Sequence, residues 1–232
     1  MPSSHISQEK EPHFGSISHH IDPDGYVYLL GHYDPDASKL DLRTHLCRIQ
    51  HSADFTSRDN FEFLVNALDG SGPMWDKSYT LDSLHKLGDL NVQAQGVLFR
   101  APEFAPQGRP YLWMGVSKFP AGHMFVGSAP AVTGPWEVVD VAPIPDDPDP
   151  FDGKSSGPKY AFFPNPKASD FAKGEVLCTW TDAAQMGGKV IAAKFWFEGG
   201  WESPSGGPGL VQQSGDGEKH HGFRDTLKKL MK

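Results

Sequence analysis

Gly25-Tyr26-Val27-Tyr28-Leu29-Leu30-Gly31 reads as a turn running into a buried strand. The pattern returns as Gly108-Arg109-Pro110-Tyr111-Leu112-Trp113-Met114-Gly115 and again as Gly174-Glu175-Val176-Leu177-Cys178-Thr179-Trp180. After a gap, each copy is followed by a strand rich in small and apolar residues, over 46–52, 124–129 and 190–197. The first two copies add a further strand, over 61–65 and 136–141. A β unit recurring at a spacing of about 65–85 residues predicts an all-β, propeller-like fold, because a lone four-stranded sheet cannot cover both of its faces.

Composition agrees with this reading. The chain has 232 residues, with 15 Phe, 6 Trp and 6 Tyr to build a core, and its 25 Gly and 20 Pro punctuate apolar runs as turns do. A formal net charge of −8 argues against nucleic acid, which needs a basic field on the protein. Cys47 and Cys178 both lie in apolar strand-like runs and read as buried free thiols; no C-x-x-C spacing suggests zinc. The first residues lack an apolar signal-peptide core, and no run is long enough to span a bilayer. The compartment is therefore expected to be cytoplasmic by default, or extracellular if the start is truncated.

Along the chain, 1–12 reads as a flexible lead-in and 13–201 as the propeller-like domain. Its first strand is expected over 13–21, followed by the turn Asp22-Pro23-Asp24-Gly25. Residues 69–91 read as a long connector with a helical turn at Leu81, Leu84 and Leu87. Residues 202–219, rich in Gly, Ser and Pro, read as a linker. Residues 220–232 read as a short basic amphipathic helix, with Phe223, Leu227, Leu230 and Met231 on one face, or as a frayed solvated tail. Three recognisable four-stranded blades fall short of the four to eight of ordinary propellers. Self-association, a shortened propeller or a fragment of a longer, five-bladed product would each account for that.

Ala101-Pro102-Glu103, Thr133-Gly134-Pro135-Trp136-Glu137 and Gly157-Pro158-Lys159-Tyr160 resemble blocks of the five-bladed propeller glycosidases of the arabinanase/levansucrase-like superfamily. Tyr160-Ala161-Phe162-Phe163-Pro164-Asn165-Pro166, followed by 174–182 and 187–194, more closely resembles the last part of DUF4185-type proteins, propellers common in fungi. The resemblance implies a ligand funnel at the propeller axis and glycosidase-like chemistry there. Such enzymes set a base, an acid and an acid-tuning carboxylate around the sugar. By position Glu103 matches the tuning acid, while the general-acid position before a Gly-Pro pair is occupied by Ser156. The first inner strand offers His19 and His20, with Asp22 and Asp24 in the turn beyond. The catalytic expectation therefore falls on Glu103 with Asp22 or Asp24, in an incomplete set.

Polar residues on otherwise apolar inner strands are the candidate ligand contacts: His19, His20, Arg100, Lys159, Tyr160 and Asn165. Adjacent strand residues point to opposite faces, so at most one of the two histidines faces a funnel. Arg100 and Glu103 read equally as a ligand-contacting pair or as a structural ion pair. No cofactor is required. Asp146, Asp147, Asp149 and Asp152 could hold calcium but lack EF-hand spacing, and the preferred reading is a solvated acidic loop. The leading expectation is a glycosidase-like propeller binding a carbohydrate or other hydroxylated ligand. A non-catalytic binding module and a small-molecule cyclase of fungal biosynthesis stand as alternatives.

Overall fold

The computed structural model describes residues 11–33, 43–117, 122–146, 159–183, 188–198 and 209–212. Three antiparallel sheets follow one another along the chain. The first is β1 (Ser18–Ile21), β2 (Tyr26–Tyr33), β3 (Arg43–Gln50), β4 (Phe61–Asn66) and β5 (Pro73–Asp76), in that spatial order. The second is β6 (Gln93–Arg100), β7 (Tyr111–Ser117), β8 (His123–Ala129) and β9 (Glu137–Pro143). The third is β10 (Lys159–Pro164), β11 (Glu175–Asp182), β12 (Lys189–Glu198) and β13 (Gly209–Gln212). Each sheet is a meander, so each strand pairs with its neighbours in sequence. Among the described residues there is no α-helix, and no helix long and apolar enough to cross a membrane.

Turn chemistry sets the first hairpin. Gly25 sits at φ +87°, where an L side chain would be strained, and its N–H donates to the Asp22 carbonyl at 3.1 Å. The hairpin then closes with Asp22 N–H on Tyr26 O at 2.9 Å and runs from Ile21↔Val27 to Ser18↔Leu30.

The second sheet is buried on both faces. Leu98 and Trp113 point toward the first sheet and pack with Leu30, Leu46 and Leu64. Phe99, Leu112 and Met114 point the other way and pack with Phe162, Val176, Cys178 and Trp180 of the third sheet. This explains why β6 and β7 read as nearly unbroken apolar runs. Trp113 lies fully buried against Gly96 and Gly115, where an added Cβ would overlap its indole. The remaining face of the first sheet carries Val27, Cys47, Ile49, Phe61 and Phe63, and Phe14, Tyr79 and Leu84 cover it. Both cysteines are buried free thiols, and burial pushes each thiol's pKa up.

Several expectations need correction. The first strand is shorter than 13–21: only Ser18–Ile21 pairs as a strand, while Gly15 and Ile17 N–H groups turn onto Leu30 O. At the end of the expected lead-in, Arg58 holds Glu11 with two 3.3 Å bonds, and Pro12 is buried. Within 69–91, Pro73–Asp76 is a fifth strand rather than connector. The leucines there form only a single turn, closed by the Ser83 and Leu84 N–H groups on Thr80 O at 3.0 and 3.3 Å; Leu84 and Leu87 are buried and Leu81 is exposed. The cause is a gap between β3 and β4, which pair only through Cys47↔Phe63, Arg48↔Glu62 and Ile49↔Phe61. Residues 83–90 fill it: Asn66 N–H donates to Ser83 O at 2.7 Å, His85 N–H to Leu64 O at 2.9 Å, and Thr44 Oγ1 to Leu90 O at 2.7 Å. Gly209–Gln212, inside the stretch expected as a linker, is the outer strand of the third sheet, where it pairs with Phe195–Glu198. The helix expected over 220–232 lies outside the described residues.

His45 closes the same gap. Its ring is 2% exposed and its Nδ1 donates to His85 O at 3.0 Å. Desolvation by burial pushes its pKa down to about 4.

Two outcomes test this packing. Gly96→Ala forces a methyl into the Trp113 ring and should lower unfolding stability by about 1–3 kcal/mol in urea titration; a neutral result would show that the indole can move aside. The unfolded His45 imidazole protonates near pH 6.5, the folded one only near pH 4. The unfolded chain thus binds more protons between those values, so stability falls as pH drops through that window, by about 3 kcal/mol in total for this group. His45→Gln, which keeps a donor for His85 O, should flatten that slope in urea midpoints measured from pH 7 to 4.

Candidate ligand-binding site

The first strand of each sheet is an edge strand, with backbone groups that the sheet itself leaves unpaired. The fold satisfies them by setting these edges side by side. Leu98 N–H in β6 donates to Ser18 Oγ in β1 at 2.8 Å, and Ala161 N–H in β10 donates to Gln95 Oε1 in β6 at 2.7 Å. Ala161 has φ 54°, an unusual value for a residue with a side chain, at an irregularity in the β10–β11 register. The inner strands thus meet, and the ends of β1 and β6 come together at one mouth.

At that mouth Asp22 is the centre. It is buried, and its Oδ1 meets His20 Nε2 at 3.1 Å. Its Oδ2 accepts from Tyr111 Oη at 3.1 Å and from Asp24 N–H at 3.5 Å. Asp24 takes the Tyr28 hydroxyl on Oδ2 and the Tyr26 N–H, at 2.9 Å, on Oδ1. Arg100 stands directly across the β6–β7 pair from Tyr111. Its positive charge acts on both His20 and Tyr111. Among the described residues Arg100 makes no ion pair, so its guanidinium faces outward. The His20 ring stands edge-on to Tyr111 with centroids 6.3 Å apart.

These contacts set the proton affinities. Burial holds the His20 pKa below the ordinary imidazole value, against the hydrogen bond and charge of Asp22, which raise it. Burial first, then the Asp22 charge and hydrogen bond, raise the Tyr111 pKa. Burial and the bond to Asp24 raise that of Tyr28 well above the phenol range. Beneath the cluster, Arg48 lies 4.2 Å from the ring centres of both Tyr26 and Trp75 and donates through Nε to Glu62 at 2.7 Å. Opposed by its own desolvation, the bonds to Glu62 and Tyr28 keep the guanidinium pKa raised. Both ring contacts are cation–π interactions.

The other expected site residues lie apart from this cluster or serve the backbone. His19 is exposed on the face opposite His20, as strand alternation requires. Glu103 is exposed on the turn after β6, without a hydrogen bond or ion pair among the described residues. Lys159 donates to Asp146 at 2.7 Å. Lys159 and Tyr160 begin β10 near Gln95, and Arg100 lies five residues farther along β6, roughly 16 Å away at strand rise. Asn165 donates to Phe163 O at 3.1 Å and precedes the short 3-10 turn Pro166–Ala168. Of the acidic group read as a calcium candidate, Asp147, Asp149 and Asp152 lie outside the described residues, among which no three ligating side chains gather.

Tyr111 was not singled out in the sequence, yet a signal was present. Tyr28 and Tyr111 each stand three residues after the glycine of the repeated motif. Both hydroxyls reach carboxylates of one turn, 22–25, from two different sheets.

No family model matches the chain, and the search of curated proteins finds no match. Among solved structures, the fold is similar to that of a Bacteroides ovatus ATCC 8483 protein named a "putative hydrolase". Its TM-score is 0.57 at 16% identity, over 77% of this chain and 41% of that one. An engineered GH43 glycoside hydrolase with endo-xylanase and exo-arabinofuranosidase activity matches with a TM-score of 0.38 at 10% identity, over 92% of this chain and 43% of that one. This chain spans about two fifths of the length of each. At 16% identity the likeness to the first of these is one of fold alone.

Asp22→Asn removes the charge that props up the His20 pKa. In an NMR titration the His20 ring should then titrate still lower than in the wild type, and an upward shift would contradict the geometry described.

Proposed function

We propose that this chain binds a carbohydrate or a similarly hydroxylated ligand at the mouth formed by His20, Asp22, Asp24, Arg100 and Tyr111, without cleaving it. The observation that carries the reading is the convergence on one turn of polar groups from two sheets, beside half-buried Tyr111 and His20 rings and an exposed Arg100 that makes no ion pair among the described residues. Sugar hydroxyls need donors and acceptors held in fixed positions, and the C–H groups of sugar rings pack against aromatic rings. Both are present on strands whose backbones cannot shift independently.

Hydrolysis is less well supported. It requires one protonated carboxyl and one ionised carboxylate flanking the glycosidic oxygen. Asp22 and Asp24 share a single turn, and their oxygens are engaged by His20, Tyr111, Tyr28 and backbone N–H groups. Glu103 is exposed and has no hydrogen-bond or ion-pair partner among the described residues. Similarity of fold to hydrolases does not itself carry a reaction.

The test is a panel of oligosaccharides examined by calorimetry and by reducing-end release. Binding without cleavage is expected, with Arg100→Ala weakening affinity by about tenfold or more. Wild-type hydrolysis that disappears in Glu103→Gln would overturn the non-catalytic reading. Absence of binding to any glycan would overturn the ligand class.

A further inference from the structure

We propose that His20 is the specificity-determining acceptor of the Asp22 mouth: its Nδ1 takes a hydrogen bond from a ligand hydroxyl whose oxygen is bound by Arg100, so that the mouth fills when His20 is neutral and empties when it is protonated. The inference rests on the reading of this site as a receptor for hydroxylated ligands, and adds the polarity and the pH control of that recognition. Leu98 N–H meets Ser18 Oγ across the seam between β1 and β6. Residues two apart on a strand share a face, so His20 and Arg100, each two residues farther on, take matching places along that seam. Tyr111 stands across β7 from Arg100, and its ring meets the His20 ring edge-on.

The carboxylate of Asp22 decides the tautomer. A carboxylate only accepts, so its 3.1 Å contact with His20 Nε2 puts the proton of the neutral ring on Nε2 and leaves Nδ1 a bare acceptor. Nδ1 makes no hydrogen bond among the described residues, and it is not sealed away from solvent. Arg100 is exposed and makes no hydrogen bond or ion pair among the described residues. Its guanidinium has donors only. A group seated between the two must therefore accept toward Arg100 and donate toward His20. A hydroxyl does both at once, whereas a carboxylate or phosphate has no proton for Nδ1 and an ammonium has no lone pair for Arg100. Protonation of His20 breaks this arrangement. Nδ1 becomes a second donor, the hydroxyl proton loses its acceptor, and an imidazolium stands beside a guanidinium.

Burial holds the His20 pKa below the ordinary imidazole value, against the bond and charge of Asp22, so the ring is neutral at pH 7. The groups that face it are Asp22 and Asp24 from the turn, Tyr28 across β2, Arg100 of β6 and Tyr111 of β7. Burial raises the pKa of both tyrosines, so neither titrates in the acid range. The two carboxylates could contribute a pH effect of their own. His20→Asn separates them from the imidazole, because its amide lies where Nδ1 lies and offers an acceptor that does not titrate.

The experiment joins two measurements on the full chain. A long-range proton–nitrogen NMR spectrum of the ligand-free protein at pH 7 should show the His20 proton on Nε2, and a pH series should locate the His20 pKa. Calorimetry with xylo-, arabino-, manno- and cello-oligosaccharides then runs from pH 7 to one unit below that pKa, while the amide spectrum stays that of the folded chain. The dissociation constant of the bound sugar should rise toward about tenfold per pH unit below the His20 pKa, since only the neutral form is competent. His20→Asn should bind more weakly, with an affinity that no longer follows this curve. A proton found on Nδ1 in the free protein would overturn the inference before any sugar is added. A sugar bound equally on both sides of the His20 titration, or a wild-type pH slope kept by His20→Asn, would overturn it and leave the ligand class standing. No sugar bound at any pH would overturn both.

Discussion

A β-sheet with two apolar faces must have a neighbour on each, and the second sheet is such a sheet. Trp113 and Leu98 need the first sheet on one side, and Phe99, Leu112 and Met114 need the third on the other. Taking either neighbour away would return a layer of large side chains to water, at about 25 cal/mol for each Å² of apolar surface. The order of the three sheets, the adjacency of their first strands and the position of the Asp22 cluster all follow from this burial. Gly96 and Gly115 belong to the same constraint, since only a strand without side chains at those points lets the Trp113 ring lie flat between layers.

The mouth between the first two sheets is a consequence of edges as much as of polar chemistry. An inner strand has unpaired N–H groups along one side. Ser18 and Gln95 reach across to satisfy two of them, tying β1 to β6 and β6 to β10. Once β1 and β6 are aligned in this way, the turn at the end of β1 stands beside the end of β6, and Asp22 meets Tyr111. The carboxylate is thereby fixed from two sheets at once. Its partners are the His20 ring and the Asp24 N–H from the first sheet and the Tyr111 hydroxyl from the second.

The recurring glycine turn before an apolar run made the antiparallel meanders legible, because a positive-φ glycine at that place has few other uses. It also contained the tyrosines that converge on the 22–25 turn. Asp22, Asp24, His20 and Arg100 were legible as polar residues on apolar strands. The role of residues 83–90 was not legible. Their leucine spacing suits a helical turn, and only the divergence of β3 from β4 creates the slot that draws Leu84 and Leu87 in as extended chain. Gly209–Gln212 is too short and too glycine-rich a neighbourhood to announce a strand, and it becomes one by meeting the free edge of β12.

Local pattern therefore determined the elements themselves: turns where glycine takes positive φ, strands where apolar residues run on, and the opposite facing of His19 and His20. Tertiary structure decided which polar groups act together. Whether Asp22 meets Tyr111, and whether Lys159 stands near Arg100 or a strand's length away, depends on how separate sheets align. Sheet alignment is governed by the packing of whole layers and by inter-edge hydrogen bonds between residues 66 to 80 positions apart, a separation at which no local spacing rule operates.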